Sequence, residues 1–185
     1  PWRPYRPSSL FCSETLRTSG VTLRLYQEAG ATYRADAGGP VEVAVRAGTL
    51  RSVSLVHGHY PCRRLPRHVL PGVKTIGFWD TEESQDWGLP WHRNEGLEVT
   101  LLERGSLAFS VEQSAWALRA DDLTLTRPWQ QHRVGDPHVD AGRLHWLILD
   151  VGVRRPHQTW RWPNWLVLTR PDLRELTDFL RYNEQ

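Results

Sequence analysis

The sequence has no methionine, only two cysteines and a single lysine, Lys74. Because a complete translation product begins with methionine, we expect these 185 residues to be a piece of a longer protein that includes a partner domain. Cys12 and Cys62 lie far apart and form no C-x-x-C element. That usage favours two reduced, structural thiols and leaves one disulfide between them as the alternative.

Long apolar runs and clusters of basic residues are also missing. No apolar run approaches the roughly 20 residues of a membrane helix, and the amino end, PWRPYRPSSL, lacks the apolar core of a signal peptide. The net charge is only +2, and no run of basic residues exceeds a pair, so no stripe could follow a phosphate backbone. These absences predict a cytoplasmic domain that has no membrane partner and does not bind DNA by itself.

The two ends of the chain differ in character. Residues 1–20 are rich in proline, serine, threonine and arginine, which predicts an extended or poorly ordered arm. Near the other end, Thr169 can cap a helix, and Pro171 and Asp172 suit its first turn. The apolar residues that follow share one helical face: Leu173, Leu176, Phe179 and Leu180. Residues 169–185 are therefore predicted to form an amphipathic helix.

Residues 21–75 predict an N-terminal subdomain that packs on the rest of the chain. VTLRLYQEA alternates apolar and polar residues, as a strand does, and residues 27–39 resemble a loop. Residues 40–61 are ambiguous, because Val41, Val43 and Val45 favour a strand by propensity. Pro40 and a near-helical spacing of alanine and leucine favour two short helices broken at Gly48 instead, and this is the prediction we adopt.

Residues 76–168 predict a small barrel of short strands. Leu97, Val99 and Leu101 share one parity and polar residues the other, which is the period of a strand with one apolar face. Gly105 and Ser106 predict a turn into a return strand. Residues 144–149 are apolar on both faces, which predicts a central strand. Polar clusters at 92–100 and 128–132 would then face each other across the barrel.

These two polar clusters carry a family resemblance. The spacing His92, Asn94, Glu98, Gly105 and later Pro128 to His132 resembles the two sequence boxes of the cupin superfamily. More narrowly, EVTLLERGSLAFSV and RADDLTLTRPWQQHRVG are similar to the amino-terminal sensor domains of AraC-type transcriptional regulators. The resemblance covers roughly residues 76–152. It departs from the family pattern at Asn94, where a metal-binding cupin has its second histidine, and at Ala120 and Gln130, where the second box has glycine.

The resemblance implies both a fold and a function. The fold is mainly β with flanking helices, a cupin-like double-stranded β-helix (jelly-roll) barrel with a C-terminal amphipathic helix. The function is that of an effector-sensing domain, in which residues 169–185 mediate homodimerisation and lead to a helix-turn-helix domain outside this sequence. DNA would be bound only through that further domain.

The residues predicted to bind a small molecule come from the two polar clusters: Trp91, His92, Arg93, Asn94, Glu98, Trp129, Gln131 and His132. Their amide, carboxylate and imidazole groups can fix a polar ligand, and the two indoles can form pocket walls suited to a sugar. Alternatively, Arg93 and Arg133 can hold a carboxylate.

A metal-binding interpretation stays open beside the sensor. Two imidazoles and one carboxylate, from His92, Glu98 and His132, can hold a divalent cation such as zinc and leave positions open for substrate. The chain would then be a cupin enzyme, an oxygenase or isomerase, using its metal as a Lewis acid. In a third interpretation the histidines are only structural and the pocket is vestigial. For the sensor hypothesis, we expect no catalysis and no required cofactor.

Overall fold

The structure is a computed structural model that describes residues 25–28, 31–34, 39–57, 63–155 and 158–182. The predicted arm and both cysteines lie outside the described residues. The described part of the chain forms the following elements in order: β1 Leu25–Glu28, β2 Ala31–Arg34, α1 Gly39–Ala47, β3 Arg51–Val56, β4 Arg63–Arg64, β5 Val73–Thr81, β6 Leu89–His92, β7 Leu97–Val111, β8 Ser114–Arg119, β9 Leu123–Thr126, β10 His132–Val134, β11 Gly142–Leu149 and α2 Arg170–Arg181.

The long strand β7 is shared by two sheets. Its first part, up to Gly105, pairs with β11 on one side and β9 on the other, and the first sheet continues from β11 through β5 and β3 to β4. Its second part, from Ser106, pairs with β8 and β10, and β10 pairs with β6. Apart from the short parallel pair β3–β4, both sheets are antiparallel, and two such sheets joined through one strand form a barrel of the jelly-roll type. The mainly β fold with a C-terminal helix is confirmed.

Gly105 does not form the predicted turn, because β7 continues through this residue to Val111. At this point the strand has a φ of 94° and its register with β11 shifts. Glycine adopts positive φ without a steric penalty, so the strand can bend and leave one sheet for the other. The hairpin turn comes later, between β7 and β8.

Two further predictions in the N-terminal part are wrong. β2 lies within the segment predicted as a loop. The first predicted helix is present as α1, but β3 replaces the second one. In β3, Ser52, Ser54 and Val56 are buried in alternation, and the strand pairs with β5 along its length. Pairing of that kind outweighs the weak local spacing of leucine and alanine. The division between residues 21–75 and 76–168 stays a prediction.

The main core lies between the two sheets and reaches α1. Its buried members come from α1, from the loop after it, from strands of both sheets and from the loop between β10 and β11: Ala44, Leu50, Trp79, Leu102, Leu107, Phe109, Leu118, Val134, Val139 and Leu144. A second core cluster includes Val73, Leu97, Trp129, Leu149 and Trp160. As predicted, β11 is central, between β5 and β7.

Helix α2 has the N-terminus that the sequence predicts. Thr169 Oγ1 accepts from the backbone N–H of Asp172, and the Asp172 carboxylate accepts from the backbone N–H of Thr169, which completes a capping box. Trp162 Nε1 donates to Thr177 Oγ1 over 2.8 Å, and Leu180 packs against the second core cluster. These contacts hold one face of α2 against the barrel. Neither α1 nor α2 combines the length and the apolar character that crossing a lipid bilayer requires.

Candidate functional site

The two polar clusters meet where β6 and β10 pair. His92 ends β6, His132 begins β10, and the two residues lie opposite each other in the antiparallel ladder. Their ring centroids are 4.2 Å apart, with the rings tilted edge to face. His132 is fully buried, whereas His92 is half-buried. The sequence therefore brings together two imidazoles that are separated by forty residues.

A carboxylate completes this cluster. Glu98, at the start of β7, places Oε2 3.0 Å from His132 Nε2. Asn94 Nδ2 donates to the same oxygen over 2.6 Å. One ligand atom from each of His92, Glu98 and His132 lies within 4.8 Å of the others. Asn94 therefore orients the carboxylate, and the two histidines and Glu98 present one nitrogen or oxygen each to a common point.

Backbone carbonyls fix the orientation of both imidazole rings. His92 Nδ1 lies 2.7 Å from the carbonyl oxygen of Pro90, and His132 Nδ1 lies 3.0 Å from that of Gln130. A carbonyl oxygen can only accept, so each Nδ1 carries the hydrogen and each neutral ring offers Nε2 as a lone pair. A hydrogen bond of this kind behind the ring is the usual support of a metal-binding histidine.

His132 Nε2 is buried and satisfies no hydrogen-bond geometry, although the carboxylate oxygen of Glu98 is in ion-pair range. Together with the donor set, this buried atom fits a divalent cation: two imidazole nitrogens and one carboxylate oxygen suit zinc or iron. With three protein ligands, further coordination positions would be left for water or substrate.

The pKa values of Glu98 and His132 indicate the protonation state of the cluster when no metal is bound. Burial alone would raise the pKa of Glu98, but the neighbouring imidazoles of His132 and His92 and the Asn94 amide lower it. Burial alone would lower the pKa of His132, but the adjacent Glu98 carboxylate raises it. The two groups therefore favour an ion pair, and a metal must displace the proton on His132. Metal affinity should accordingly increase with pH.

The other predicted binding residues lie around this cluster. Arg93 Nη2 donates to Gln131 Oε1 over 3.0 Å, which ties the two polar clusters together a second time. Trp91 points to the opposite side of β6 from His92, where it is exposed beneath the Arg133 guanidinium, 4.9 Å from its ring centre. Trp129 is buried in the second core cluster. The structure therefore gathers the polar residues and separates the two indoles.

A large cavity lies elsewhere, and the sequence did not predict it. Its volume is about 1290 Å³, and it is bounded by β7, β8 and β9 on one side and by α2 on the other. The barrel side is mainly apolar and includes Leu97, Phe109, Val111, Leu118, Leu123 and Leu125. The helix side includes Arg174, Glu175, Asp178, Phe179 and Tyr182. The cavity adjoins the polar cluster through Phe109, whose ring stacks on His132 at 6.1 Å.

Comparisons with known proteins give partial structural matches only. No family model matches the sequence, and no curated protein matches it. An RmlC-like cupin from Shewanella frigidimarina matches at 14% identity, covering 71% of this chain and 86% of that one, with a TM-score of 0.41. The cupin domain of Schizosaccharomyces pombe Cnp3 matches at 12% identity over 55% and 65%, with a TM-score of 0.41. KdgF from a Halomonas species matches at 11% identity over 59% and 83%, with a TM-score of 0.39. Matches of this extent decide neither family nor activity, so the function has to be argued from the residues of the site.

Proposed function

We propose that this chain is the effector-sensing domain of an AraC-type transcriptional regulator, and that it binds a small molecule in the cavity between the barrel and α2. The observation that carries the proposal is the shared wall of the cavity. Strands of both sheets form one side, and the last described helix forms the other. A molecule bound there contacts the rigid barrel and the helix at once.

This shared wall couples ligand binding to the position of α2. A ligand that contacts both sides binds more tightly when the helix is docked, so it shifts the helix towards the docked state by the same free energy. Val167 and Leu168, just before α2, are exposed and apolar and do not line the cavity, so they give a surface on which a second copy can pack. In this proposal the domain is a homodimer, and DNA is bound through a further domain that this sequence does not include.

The test of the sensor proposal is whether a ligand protects α2. A library of small molecules is screened by thermal shift, because any ligand of the native state raises the Tm. Hydrogen exchange is then measured with each ligand that binds. We expect bound ligand to slow exchange in residues 173–181 about tenfold or more. Ligands that raise the Tm and leave exchange in α2 unchanged would contradict the proposal.

A variant outside the cavity tests the coupling itself. Trp162→Phe removes the hydrogen bond to Thr177 that holds α2, which is worth roughly 1 kcal/mol. If helix docking and ligand binding are linked, this variant should bind ligand about threefold to fivefold more weakly, although Trp162 does not line the cavity. Trp165→Phe is the matched control, because it removes the hydrogen bond from an indole to the carbonyl of Pro71, away from α2. Its ligand affinity should be unchanged.

A second candidate, a metal-dependent cupin enzyme of the oxygenase or isomerase class, is favoured by the His92–Glu98–His132 cluster. The orientation of both rings through Nδ1 and the convergence of one ligand atom from each of the three residues within 4.8 Å support it. A bound cation would act as a Lewis acid on an oxygen of the substrate. Asn94 would keep the Glu98 carboxylate directed at the metal, and Phe109 would separate the metal from the apolar cavity.

Metal content decides this second candidate. Protein purified without an affinity tag is analysed by mass spectrometry, beside His132→Ala and His145→Ala. His145 also contacts a carboxylate, that of Glu103, but on the surface, so it controls for adventitious binding. The enzyme candidate predicts about one equivalent of zinc, iron or manganese in the wild type and in His145→Ala, and at least about a tenfold loss in His132→Ala. The absence of metal from the wild-type protein, or an equal metal content in the two variants, would contradict the enzyme candidate.

A further inference from the structure

Arg127 is the most buried polar residue among those that line the cavity. Arg127 directly follows β9, lines the cavity and keeps only 9% of its side chain exposed. Among the described residues, its ionic contact is with Glu112 Oε1 at 3.8 Å, which is longer than a hydrogen bond, and the Glu112 side chain is 54% exposed. A guanidinium cannot lose its charge in a protein, so burial costs free energy unless an anion approaches closely. The position of Arg127 therefore suits an anionic group supplied by a ligand.

The rest of the barrel side has a different chemistry. Around Arg127 the lining is aliphatic and aromatic, with Leu97, Phe109, Val111 and Leu125 among its members. Such a wall binds carbon-rich surface and offers a sugar few partners for its hydroxyl groups. Gln130 stands beside Arg127, but its Oε1 already accepts from the Arg127 backbone N–H over 3.1 Å. A ligand that fits this wall is largely apolar.

The charges of the helix side lie at the mouth of the cavity. Arg174, Glu175 and Asp178 are exposed and of mixed sign, and Asp122, on the barrel side, is exposed as well. Water and salt screen such charges, so they contribute little selectivity. A buried charge discriminates more strongly, because a mismatched partner leaves it desolvated without compensation. The buried guanidinium, and not the exposed charges of mixed sign, should decide which polar group the ligand carries.

We propose that the cavity binds an amphipathic monocarboxylic acid, whose carboxylate pairs with Arg127 and whose aliphatic or aromatic body lies against the apolar wall. This inference rests on the proposed sensor function and names its class of effector. The planar guanidinium can form two parallel hydrogen bonds to a carboxylate, which an alcohol or amide of the same shape cannot reproduce. The ligand then leaves its apolar tail near Phe179, on the helix.

The experiment compares two probes that differ only in the polar end. Binding of octanoic acid and of octan-1-ol is measured by isothermal titration calorimetry on the full chain at neutral pH. In the wild type we expect the acid to bind about 10- to 100-fold more tightly than the alcohol, the usual effect of a charge-assisted pair. In Arg127→Gln this preference should disappear through a loss of acid affinity, while the alcohol binds as before.

Two further variants keep the result interpretable. Arg119→Gln removes an exposed guanidinium outside the cavity and should change acid affinity less than about threefold, because that charge is screened. Arg127→Lys keeps a positive charge and should retain part of the acid preference. If Arg127→Gln does not fold, as judged by circular dichroism, the wild type and Arg127→Lys still decide the matter.

The possible failures of the two proposals are distinguishable. Equal binding of acid and alcohol to the wild type, with protection of α2 in hydrogen exchange, overturns the carboxylate inference and supports the sensor. Binding of both probes without protection of α2 contradicts the sensor proposal, whichever of the two probes binds more tightly. If neither probe binds, the inference is overturned, and the ligand screen alone judges the sensor.

Discussion

Replacing Lys74 by methionine should lower the free energy of unfolding by about 3–5 kcal/mol, the usual cost of breaking a buried ion pair from one side. Lys74, the only lysine in the sequence, places Nζ 3.0 Å from Glu95 Oε1 and 3.6 Å from Asp150 Oδ2. The lysine side chain is 10% exposed and that of Glu95 is 1% exposed. Methionine fills a similar volume but removes the positive charge next to this buried carboxylate. Urea unfolding followed by tryptophan fluorescence measures the loss.

Asp150, which contacts Lys74, also favours its charged form. Burial alone would raise the pKa of Asp150, but hydrogen bonds from Arg154 and the Gly152 N–H, together with the charge of Lys74, lower it to about 2. Asp150 is therefore ionised at neutral pH and adds to the negative potential that Lys74 balances. Removing the lysine charge then leaves two carboxylates near each other, which adds to the expected loss.

A double-mutant cycle separates the ion pair from the packing of the lysine stem. Adding Glu95→Gln to Lys74→Met should recover part of the loss, because the buried negative charge is removed with its partner. Arg46→Met is the control, since Arg46 contacts Glu42 at 3.9 Å on the exposed side of α1 and should cost less than about 0.5 kcal/mol. A loss in Lys74→Met no larger than that of the control, or no coupling in the cycle, would refute the assignment.

Elements with a strong local signal could be predicted from the sequence. The capping box of α2 is encoded by Thr169 and Asp172, three residues apart, and the structure contains it. The run 144–149 is apolar on both faces, which predicts a strand at the centre of a sheet with both faces covered. In the structure, β11 lies between β5 and β7. Residues 40–61 have no strong local signal for either a helix or a strand. There, pairing with β5 makes residues 51–56 a strand.

The polar site was partly predictable, and the cavity was not. The spacing of His92, Asn94, Glu98 and His132 resembles that of the two cupin boxes, and this resemblance predicted that the two polar clusters lie close together. The alternation of side chains in a strand should have separated Trp91 from His92, because neighbours on a strand point to opposite faces. The cavity depends on where α2 docks, which is fixed by contacts such as that of Trp162 with Thr177, far apart in sequence from the cavity strands. No local pattern encodes such a contact.

The bend at Gly105 is the feature on which the site depends most. Glu98 and Val111 are thirteen residues apart on β7, a distance of about 43 Å along a straight strand at roughly 3.3 Å per residue. Yet His132 pairs opposite Val111, and its Nε2 lies 3.0 Å from the carboxylate of Glu98. Only a strongly bent and coiled β7 brings its two ends towards the same residue. The positive φ at Gly105 and the register shift beside it provide a bend where the strand changes sheets.

Gly105→Ala should therefore destabilise the fold by about 3–5 kcal/mol. A Cβ at Gly105 would overlap the carbonyl oxygen of Ala141 and lie 2.9 Å from the Cα of Gly142. Ala141 directly precedes β11 and Gly142 begins it. Both contacts are with backbone atoms, so neither can be relieved by rotating a side chain. The φ of 94° adds a conformational penalty of roughly 1–3 kcal/mol for any residue with a side chain. Urea unfolding followed by tryptophan fluorescence measures this loss of free energy.

Alanine variants at two other glycines separate the steric overlap from the conformational penalty of a positive φ. Gly39→Ala, at the start of α1, meets no atom within 4 Å and has no positive φ, so it should be nearly neutral. Gly48→Ala also meets no atom but has a φ of 76°, so it should cost only the conformational penalty. If Gly105→Ala is no less stable than Gly48→Ala, the overlap with Ala141 is relieved by local movement and β7 does not need glycine to change sheets. If it is less stable by a further 2 kcal/mol or so, the close approach of β7 to β11 is itself what requires glycine at this position.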